Sequence, residues 1–281
     1  EVVEPGTPLG NLREVVAASL GGNFPVIATT THDTGAAVTG IPGEGDYAFI
    51  SSGTWSIIGT ELSEPILTEE AFRVGWANEQ GVENTTRFLR NISGAWLFQE
   101  CVRQWRSEGD ESSYAELDEL AENAPAFGSL VDPDHDALKA PGGMPERIQA
   151  LCRETDQQIP QGKGEILRLV AESVAFKHRV RFEQLQEITG KTLDRIHMGG
   201  GGIKNELLVQ SIATCCGVPV HAGPIEATAC GNLITQMVAT GDLPDISAGR
   251  ELIRRSIPLK NFAPSDPSPW EDNLPRFERL L

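Results

Sequence analysis

Hydrophobic residues along this chain follow two different periods, which predicts a fold of strands and helices in alternation. A compact apolar run occurs at 24–30, and further segments of strand length occur at 192–198 and 218–223. Between them apolar residues recur every three or four positions, most regularly over 164–189, as is typical of amphipathic helices. The strand–helix–strand–helix order of the last third indicates a parallel sheet flanked by helices.

Residues typical of turns and helix ends refine these predictions. Residues 47–50 and 55–62 flank a Ser-Ser-Gly turn and predict a β-hairpin. The run at 24–30 predicts a buried strand, and 11–20 a short helix capped by Asn11. Further predicted helices span 91–105, the segment "YAELDELAENA", 203–216 and 225–240, and Gly190 stands where the longest helix should end.

Candidate ligand sites follow from this order, because ligands of parallel sheets bind at the carboxyl ends of strands. Turn motifs follow predicted strands at 31–34, 199–202 and 224–229. A fourth turn, 51–54, belongs to the predicted hairpin. These four turns are the candidates for the functional site.

The charge balance excludes several partners. The formal net charge is -17 at pH 7, with a pI near 4.7. A surface this acidic repels nucleic acid and anionic membranes, so any bound phosphate must meet local backbone N–H groups, a metal or a few cations. No apolar run is long enough to span a bilayer, and the start of the chain lacks a signal-peptide pattern.

Cysteine and histidine spacing argues against a zinc site. The five cysteines include no Cys-x-x-Cys pair, which favours reduced, buried thiols in a cytoplasmic protein. The five histidines show no metal-ligand spacing. The acidic segment 132–136, "DPDHD", is similar to a metal-binding cluster, but its proline and the lack of a matching carboxylate favour an acidic surface turn.

The segment "HMGGGGIKN" places four glycines between a predicted strand and helix. Backbone of this kind can approach a bulky ligand, and the alternative is a plain flexible turn. The dinucleotide fingerprint fails because position 204 is Lys, and the phosphate loop G-x-x-x-x-G-K-[ST] is absent. Asn205 either caps the following helix or also faces the ligand.

The segment "THDTGAAV" raises two interpretations of Asp33. A carboxylate at a strand end can take a proton from a sugar hydroxyl, as in phosphoryl transfer. Alternatively Asp33 is a first-turn helix carboxylate, with Thr31, Asp33 or Thr34 as N-cap, and His32 is an ordinary packed histidine. The local pattern favours the second interpretation. "SSGTW" and "EATACGN" are equally ambiguous between anion or ligand binding and plain structure.

Taken in order, these motifs resemble those of the FGGY family of carbohydrate kinases, and within it the enzymes that phosphorylate L-rhamnulose. The similar segments run over nearly the whole chain: "EPGTPLGNL", "THDTGAAV", "YAFISSGTWSIIGTEL", "ANEQGVENTTRFLRNISGAWLFQECVRQW", "LVDPDHDALKAPGGMPERIQALCRETDQQIP", "HMGGGGIKNELLVQSIATCCGVPVHAGPIEATACGN" and the region around 262–264. Only the combination of motifs, in this order, is specific.

The resemblance implies an actin-like ATPase (ribonuclease H-like) fold, α/β with a mixed sheet flanked by helices, in which a cleft separates two similar domains. Asp33 would be the general base, and His32, Asp33 and Thr34 would contact the sugar. The implied ligands are a small sugar and ATP with Mg²⁺. The implied nucleotide contacts are Thr54, Asn91, Gln99, Gly200, Gly201, Gly202 and Asn205.

One departure from the family pattern concerns its first phosphate motif, Asp-x-Gly-Thr/Ser, which does not occur near this N-terminus. Because the chain also begins with Glu1 instead of Met, we expect 1–281 to be a single C-terminal nucleotide-binding domain, with 1–30 a lead-in from the end of a missing N-terminal domain. That domain would be its partner and would supply the metal ligands, none being assigned here. The sugar could also be L-fuculose or L-xylulose, and the chain alone could be a binding module without catalysis.

Overall fold

The described part of the chain, residues 2–281 of the computed structural model, contains nine strands and eleven α-helices. The strands are β1 (Pro8–Asn11), β2 (Pro25–Ile27), β3 (Ala48–Ser52), β4 (Trp55–Leu62), β5 (Ala77–Gln80), β6 (Thr86–Ser93), β7 (Ile196–Gly199), β8 (Val220–Ala222) and β9 (Lys260–Phe262). The helices are α1 (Glu14–Leu20), α2 (Asp33–Gly40), α3 (Glu69–Arg73), α4 (Trp96–Ser107), α5 (Tyr114–Glu122), α6 (Met144–Glu154), α7 (Lys163–Thr189), α8 (Glu206–Cys216), α9 (Ala227–Thr240), α10 (Ile246–Ser256) and α11 (Ser268–Glu278).

Seven strands form one mixed sheet in the order β5-β6-β4-β3-β7-β8-β9. The central strands β3, β7 and β8 are parallel, and the outer strands join them in antiparallel fashion. Ser51 near the end of β3 pairs with Gly199 at the end of β7. The Ser-Ser-Gly turn and the glycine-rich turn therefore lie side by side at the carboxyl ends of two central strands.

Helices cover both faces of this sheet, which confirms the predicted α/β class. The alternation of side chains along β3 shows why: Ile50 packs in the larger core, with α4, α6, α7 and α8, whereas Phe49 packs in a smaller core with α2. Adjacent positions on β4 divide in the same way, since Ile58 joins the larger core and Ile57 the smaller one. The sheet thus holds α2 on one side and α7 on the other.

Three boundaries predicted from the sequence are wrong. The run at 24–30 forms only the short β2, which pairs with β1 in a separate two-stranded sheet and is largely exposed. Asn11 lies in β1, so α1 begins at Glu14 after Arg13. Residues 91–93 belong to β6, so α4 begins later than predicted. In each case a short apolar stretch fits both periods, and pairing with a neighbouring strand decides between them.

The longest predicted helix is confirmed as α7, which ends at Gly190 in a left-handed conformation with φ of 66°. It is buried along most of its length, including several polar side chains. Lys177 on α7 is 3 % exposed at its side chain and forms ion pairs with Asp132 at 2.6 Å and Asp134 at 3.2 Å. The acidic segment therefore anchors a buried cation at these two positions, and only Asp136 corresponds to the predicted surface turn.

Candidate active site

The first turn of α2 presents Asp33 to solvent. His32 is the N-cap, in extended conformation and without a side-chain capping bond, so the expectation that Thr31, Asp33 or Thr34 caps this helix is wrong. The Thr34 backbone N–H donates to Asp33 Oδ1 at 2.7 Å. The Asp33 side chain is nevertheless 81 % exposed. Its carboxylate is oriented by its own helix and remains open to a ligand.

A line of polar side chains continues from Asp33 into the protein. His32 Nε2 lies 3.4 Å from Asp33 Oδ1, and His32 Nδ1 lies 3.6 Å from Glu79 Oε2 on β5. Glu79 is in turn 3.2 Å from Arg87 Nη2 on β6, directly across the strand pair. Arg87 is buried, and burial lowers its pKa while the Glu79 carboxylate raises it. Glu79 and Arg87 carry no sequence signal that would have assigned them to this site.

Close packing against α9 fixes the position of α2. A Cβ at Gly231 of α9 would lie 1.8 Å from the carbonyl oxygen of Ala36, and one at Gly40 would lie 2.2 Å from the carbonyl oxygen of Ala227. Thr228 Oγ1 also donates to the backbone oxygen of Asp33 at 3.3 Å. The small residues of "EATACGN" thus allow backbone contact, while the start of the same segment faces the ligand cavity described next.

A polar cavity of about 540 Å³ opens between the start of α2, the β3–β4 turn, the glycine-rich turn and the start of α9. It brings together turns that the sequence placed near strand ends. The predicted site residues among its lining are His32, Asp33, Thr34, Thr54, Asn91, Gly200 and Gly201. Glu79 and Glu226 also line it; Glu226 belongs to the candidate turn 224–229, whereas Glu79 was not predicted.

A second, more apolar cavity of about 480 Å³ lies behind the β3–β4 turn. Its lining includes five of the predicted nucleotide contacts: Thr54, Gln99, Gly201, Gly202 and Asn205. Asn91 and Gly200 are absent from this lining and belong to the polar cavity. The two cavities share Gly53, Thr54 and Gly201, so one ligand can extend through both. Thr54 Oγ1 donates to Gln99 Oε1 at 3.2 Å at this junction.

The glycine-rich turn owes its composition to two different causes. Gly200 has φ of +97°, and Cβ atoms at Gly200 and Gly202 would lie 2.4 Å and 1.9 Å from Ser52 oxygens. These two glycines are required by packing against the β3–β4 turn. A Cβ at Gly201 would meet nothing within 4 Å, and Gly201 lines both cavities. Asn205 caps α8 by accepting from the Leu208 backbone N–H at 2.9 Å.

Aromatic and aliphatic side chains that the sequence did not indicate complete the apolar cavity. Phe98 of α4 and Tyr114 of α5 stack with ring centroids 6.1 Å apart. Asp118 follows one turn later on α5. The opposite wall consists of α7 residues Leu167, Val170, Ala171 and Val174. No sequence motif joins α5 and α7 to the glycine-rich turn, because they meet only through tertiary packing.

A buried histidine ties α7 to the strand that follows the β3–β4 turn. His178 is 0 % exposed, with Nε2 2.8 Å from Ser56 Oγ and Nδ1 2.8 Å from the carbonyl oxygen of Val174. Burial lowers the pKa of His178 to about 4. On β7, burial and the neighbouring His221 lower the pKa of His197 to about 3. Both rings are therefore neutral in the folded protein at ordinary pH.

These depressed pKa values predict a loss of stability in mild acid. Histidine in the unfolded chain binds a proton below about pH 6.5, whereas His178 in the folded protein does so only near pH 4. Between these pH values, its contribution to the free energy of unfolding therefore falls by about 1.4 kcal/mol for each unit by which the pH decreases. Urea unfolding between pH 7 and pH 4.5 measures how the free energy of unfolding changes with pH. The His178→Gln variant should be less stable than wild type at pH 7, but its stability should fall less steeply as pH decreases. An unchanged slope in His178→Gln would contradict the prediction.

Within residues 2–281, no helix has the length and apolar character needed to cross a membrane.

Comparisons with known proteins agree on the family of the chain. Residues 48–240 match the model of the FGGY family of carbohydrate kinases, C-terminal domain. The rhamnulokinase of Bacteroides thetaiotaomicron is 42 % identical over 99 % of this chain and 57 % of its own length. The rhamnulokinase of Enterococcus faecalis is 43 % identical over 93 % of this chain and 53 % of its own length. The chain thus spans little more than half the length of these curated relatives.

Solved structures share the fold. A xylulose kinase from Lactobacillus acidophilus superposes with a TM-score of 0.75 at 14 % identity, over 100 % of this chain and 56 % of that one. A Plasmodium falciparum glycerol kinase solved with ADP superposes with a TM-score of 0.70 at 15 % identity, over 98 % of this chain and 54 % of that one. The predicted actin-like ATPase fold is confirmed. The chain belongs to the FGGY family of carbohydrate kinases, matching its C-terminal domain.

Proposed function

We propose that residues 1–281 form the nucleotide-binding domain of a sugar kinase that transfers the γ-phosphate of ATP to a hydroxyl of a ketose, with L-rhamnulose as the substrate. The observation that carries this proposal is the junction of the two cavities at Thr54 and Gly201, with Asp33 in the polar one. A nucleotide with its base in the apolar cavity would direct its phosphates toward Asp33. The identity to rhamnulokinases supports the choice of sugar.

Asp33 would act as general base, accepting the proton of the attacking sugar hydroxyl. An exposed carboxylate at the start of a helix can reach a substrate without rearrangement, and His32 beside it can hold a neighbouring hydroxyl. The Thr54 hydroxyl and the backbone N–H of Gly201 would meet the phosphates. The protein has a formal net charge of -17, so its overall field repels phosphates and local hydrogen-bond donors must bind them.

Mg²⁺ fits the polar cavity as a companion of the phosphates. No group of three or more candidate metal ligands lies together within residues 2–281. Mg²⁺ usually keeps several waters and binds through phosphates and one or two carboxylates, so a cage of protein ligands is not needed. When bound, the ion would neutralise charge on the transferred phosphoryl group, and the opposite domain would supply carboxylates.

The proposed partner of this chain is an N-terminal domain that covers the open side of the polar cavity. The lead-in residues support this, because α1 has no buried residue and the side chains of Val15, Leu20 and Phe24 are exposed. Without that wall we expect the 281-residue chain to bind nucleotide weakly and to phosphorylate nothing. Turnover by the chain alone would contradict the need for a second domain.

Gly201 provides a test of the nucleotide site in the chain itself. We expect wild type to bind ADP in a calorimetric titration and Gly201→Ala to bind it about tenfold more weakly, because the added methyl occupies cavity space. Gly162→Ala adds the same methyl in open space outside both cavities and should bind like wild type. Equal affinities of all three proteins would place the nucleotide elsewhere.

The choice of sugar requires a separate experiment on the full-length kinase. A coupled assay over L-rhamnulose, L-fuculose and L-xylulose measures kcat/KM for each ketose. L-rhamnulose should give the highest value. A higher value for another ketose would assign that sugar and leave the nucleotide site unaffected.

A further inference from the structure

Asp118 is a carboxylate with no partner in the wall of the apolar cavity. It is half-buried on α5, and among the described residues no side chain or backbone group forms a hydrogen bond or ion pair with it. Burial raises its pKa, and the nearby carboxylates of Glu122 and Glu206 raise it further. Asp118 is partly exposed to the cavity and has no protein donor there, so its carboxylate is available to accept a hydrogen bond from a ligand.

The position of Asp118 along the cavity indicates which part of a nucleotide it meets. The bond between His178 and Ser56 joins the middle of α7 to the strand that follows the phosphate junction. The contact of Gly164 with Leu120, where a Cβ would lie 2.3 Å from the Leu120 oxygen, marks the end beside Asp118.

Between these two contacts, the cavity wall runs along α7 from Val174 to Leu167, about 10 Å at 1.5 Å per residue. A nucleotide carries its ribose next to its phosphates and the outer edge of its base furthest from them. Asp118 therefore lies beside the base rather than the ribose.

We propose that Asp118 accepts a hydrogen bond from the 6-amino group of adenine and so selects adenine nucleotides over 6-oxopurine nucleotides. An ionised carboxylate only accepts hydrogen bonds, which matches an amino group and opposes a carbonyl oxygen at the same position. This inference rests on the proposed function, because it requires the base of a nucleotide in the apolar cavity. A hydrogen bond to a charged group corresponds to roughly 10- to 150-fold in affinity.

The test compares ADP with IDP, which carries an oxygen in place of the 6-amino group, in calorimetric titrations of the 281-residue chain. Wild type should bind ADP roughly 10- to 150-fold more tightly than IDP. Asp118→Ala should bind ADP no more tightly than wild type binds IDP, and should discriminate little between the two. Alanine favours the helical conformation of α5, and removal of Asp118 leaves no donor unpaired, so the thermal midpoint should be maintained.

Glu122→Gln is the matched control. It removes the same charge from the same helix at an exposed position outside the cavity, and it should retain the wild-type preference for ADP. The inference would be overturned if Asp118→Ala kept the wild-type preference for ADP, or if wild type bound IDP or GDP as tightly as ADP. Either result would leave the proposed function intact. If wild type binds 2′-deoxy-ADP more weakly than ADP but binds IDP as tightly as ADP, Asp118 contacts the ribose, and the inference is overturned as well. If wild type binds no nucleotide, the proposed function fails together with it.

Discussion

Replacement of Asp33 by Asn in the full-length kinase should lower kcat by about 10²–10⁴-fold, the usual contribution of a positioned general base. Asparagine preserves the size of the side chain and can still accept from the Thr34 N–H. It cannot take the proton of the sugar hydroxyl. The KM for sugar and the Kd for ADP should therefore change little, because only the transition state loses an interaction. Steady-state kinetics and ADP titration measure these quantities separately.

Asp266→Asn is the matched control for this experiment. Asp266 also accepts from a backbone N–H, that of Ser268 at 3.0 Å, at the start of a helix, but it lies outside both cavities. Its kcat should equal that of wild type. If Asp33→Asn keeps the wild-type kcat, Asp33 has no part in the chemical step, and the carboxylates of Glu79 and Glu226 become the candidates for the base.

Substitution of Gly231 by Ala should lower the free energy of unfolding by about 3 kcal/mol or more, at the upper end of the cost of overpacking. The new methyl would lie 1.8 Å from the Ala36 carbonyl oxygen, a backbone atom that cannot rotate away. Helices α2 and α9 would have to separate. Because α2 begins with Asp33, the same change should also reduce kcat in the full-length kinase.

Urea unfolding of the 281-residue chain measures the effect of Gly231→Ala on stability. Gly162→Ala, which meets nothing within 4 Å, serves as the control and should remain within about 1 kcal/mol of wild type. A similarly small loss in Gly231→Ala would mean that the two helices adapt to a wider separation. The close contact would then not be needed to hold Asp33 in place.

Local patterns were a good guide to elements with one clear period. The regular apolar stripe of 164–189 identified α7, and the hairpin around 51–54 was placed correctly. They failed at 24–30, where an apolar run that is too short to have a period became an exposed strand. They also gave no means of choosing between the two interpretations of Asp33, because a helix cap and a general base share the same local sequence.

The amino-acid sequence alone thus established the α/β class, the family resemblance and the turns that carry the candidate chemistry, because these depend on periodicity and on motifs read in order. Only the folded chain showed that Gly200 and Gly202 serve packing while Gly201 faces the cavity, and that α9 holds α2 through Gly231. It also brought Glu79 beside His32 and Asp118 into the apolar cavity. Such contacts join residues far apart in sequence, and no local pattern specifies which of them meet.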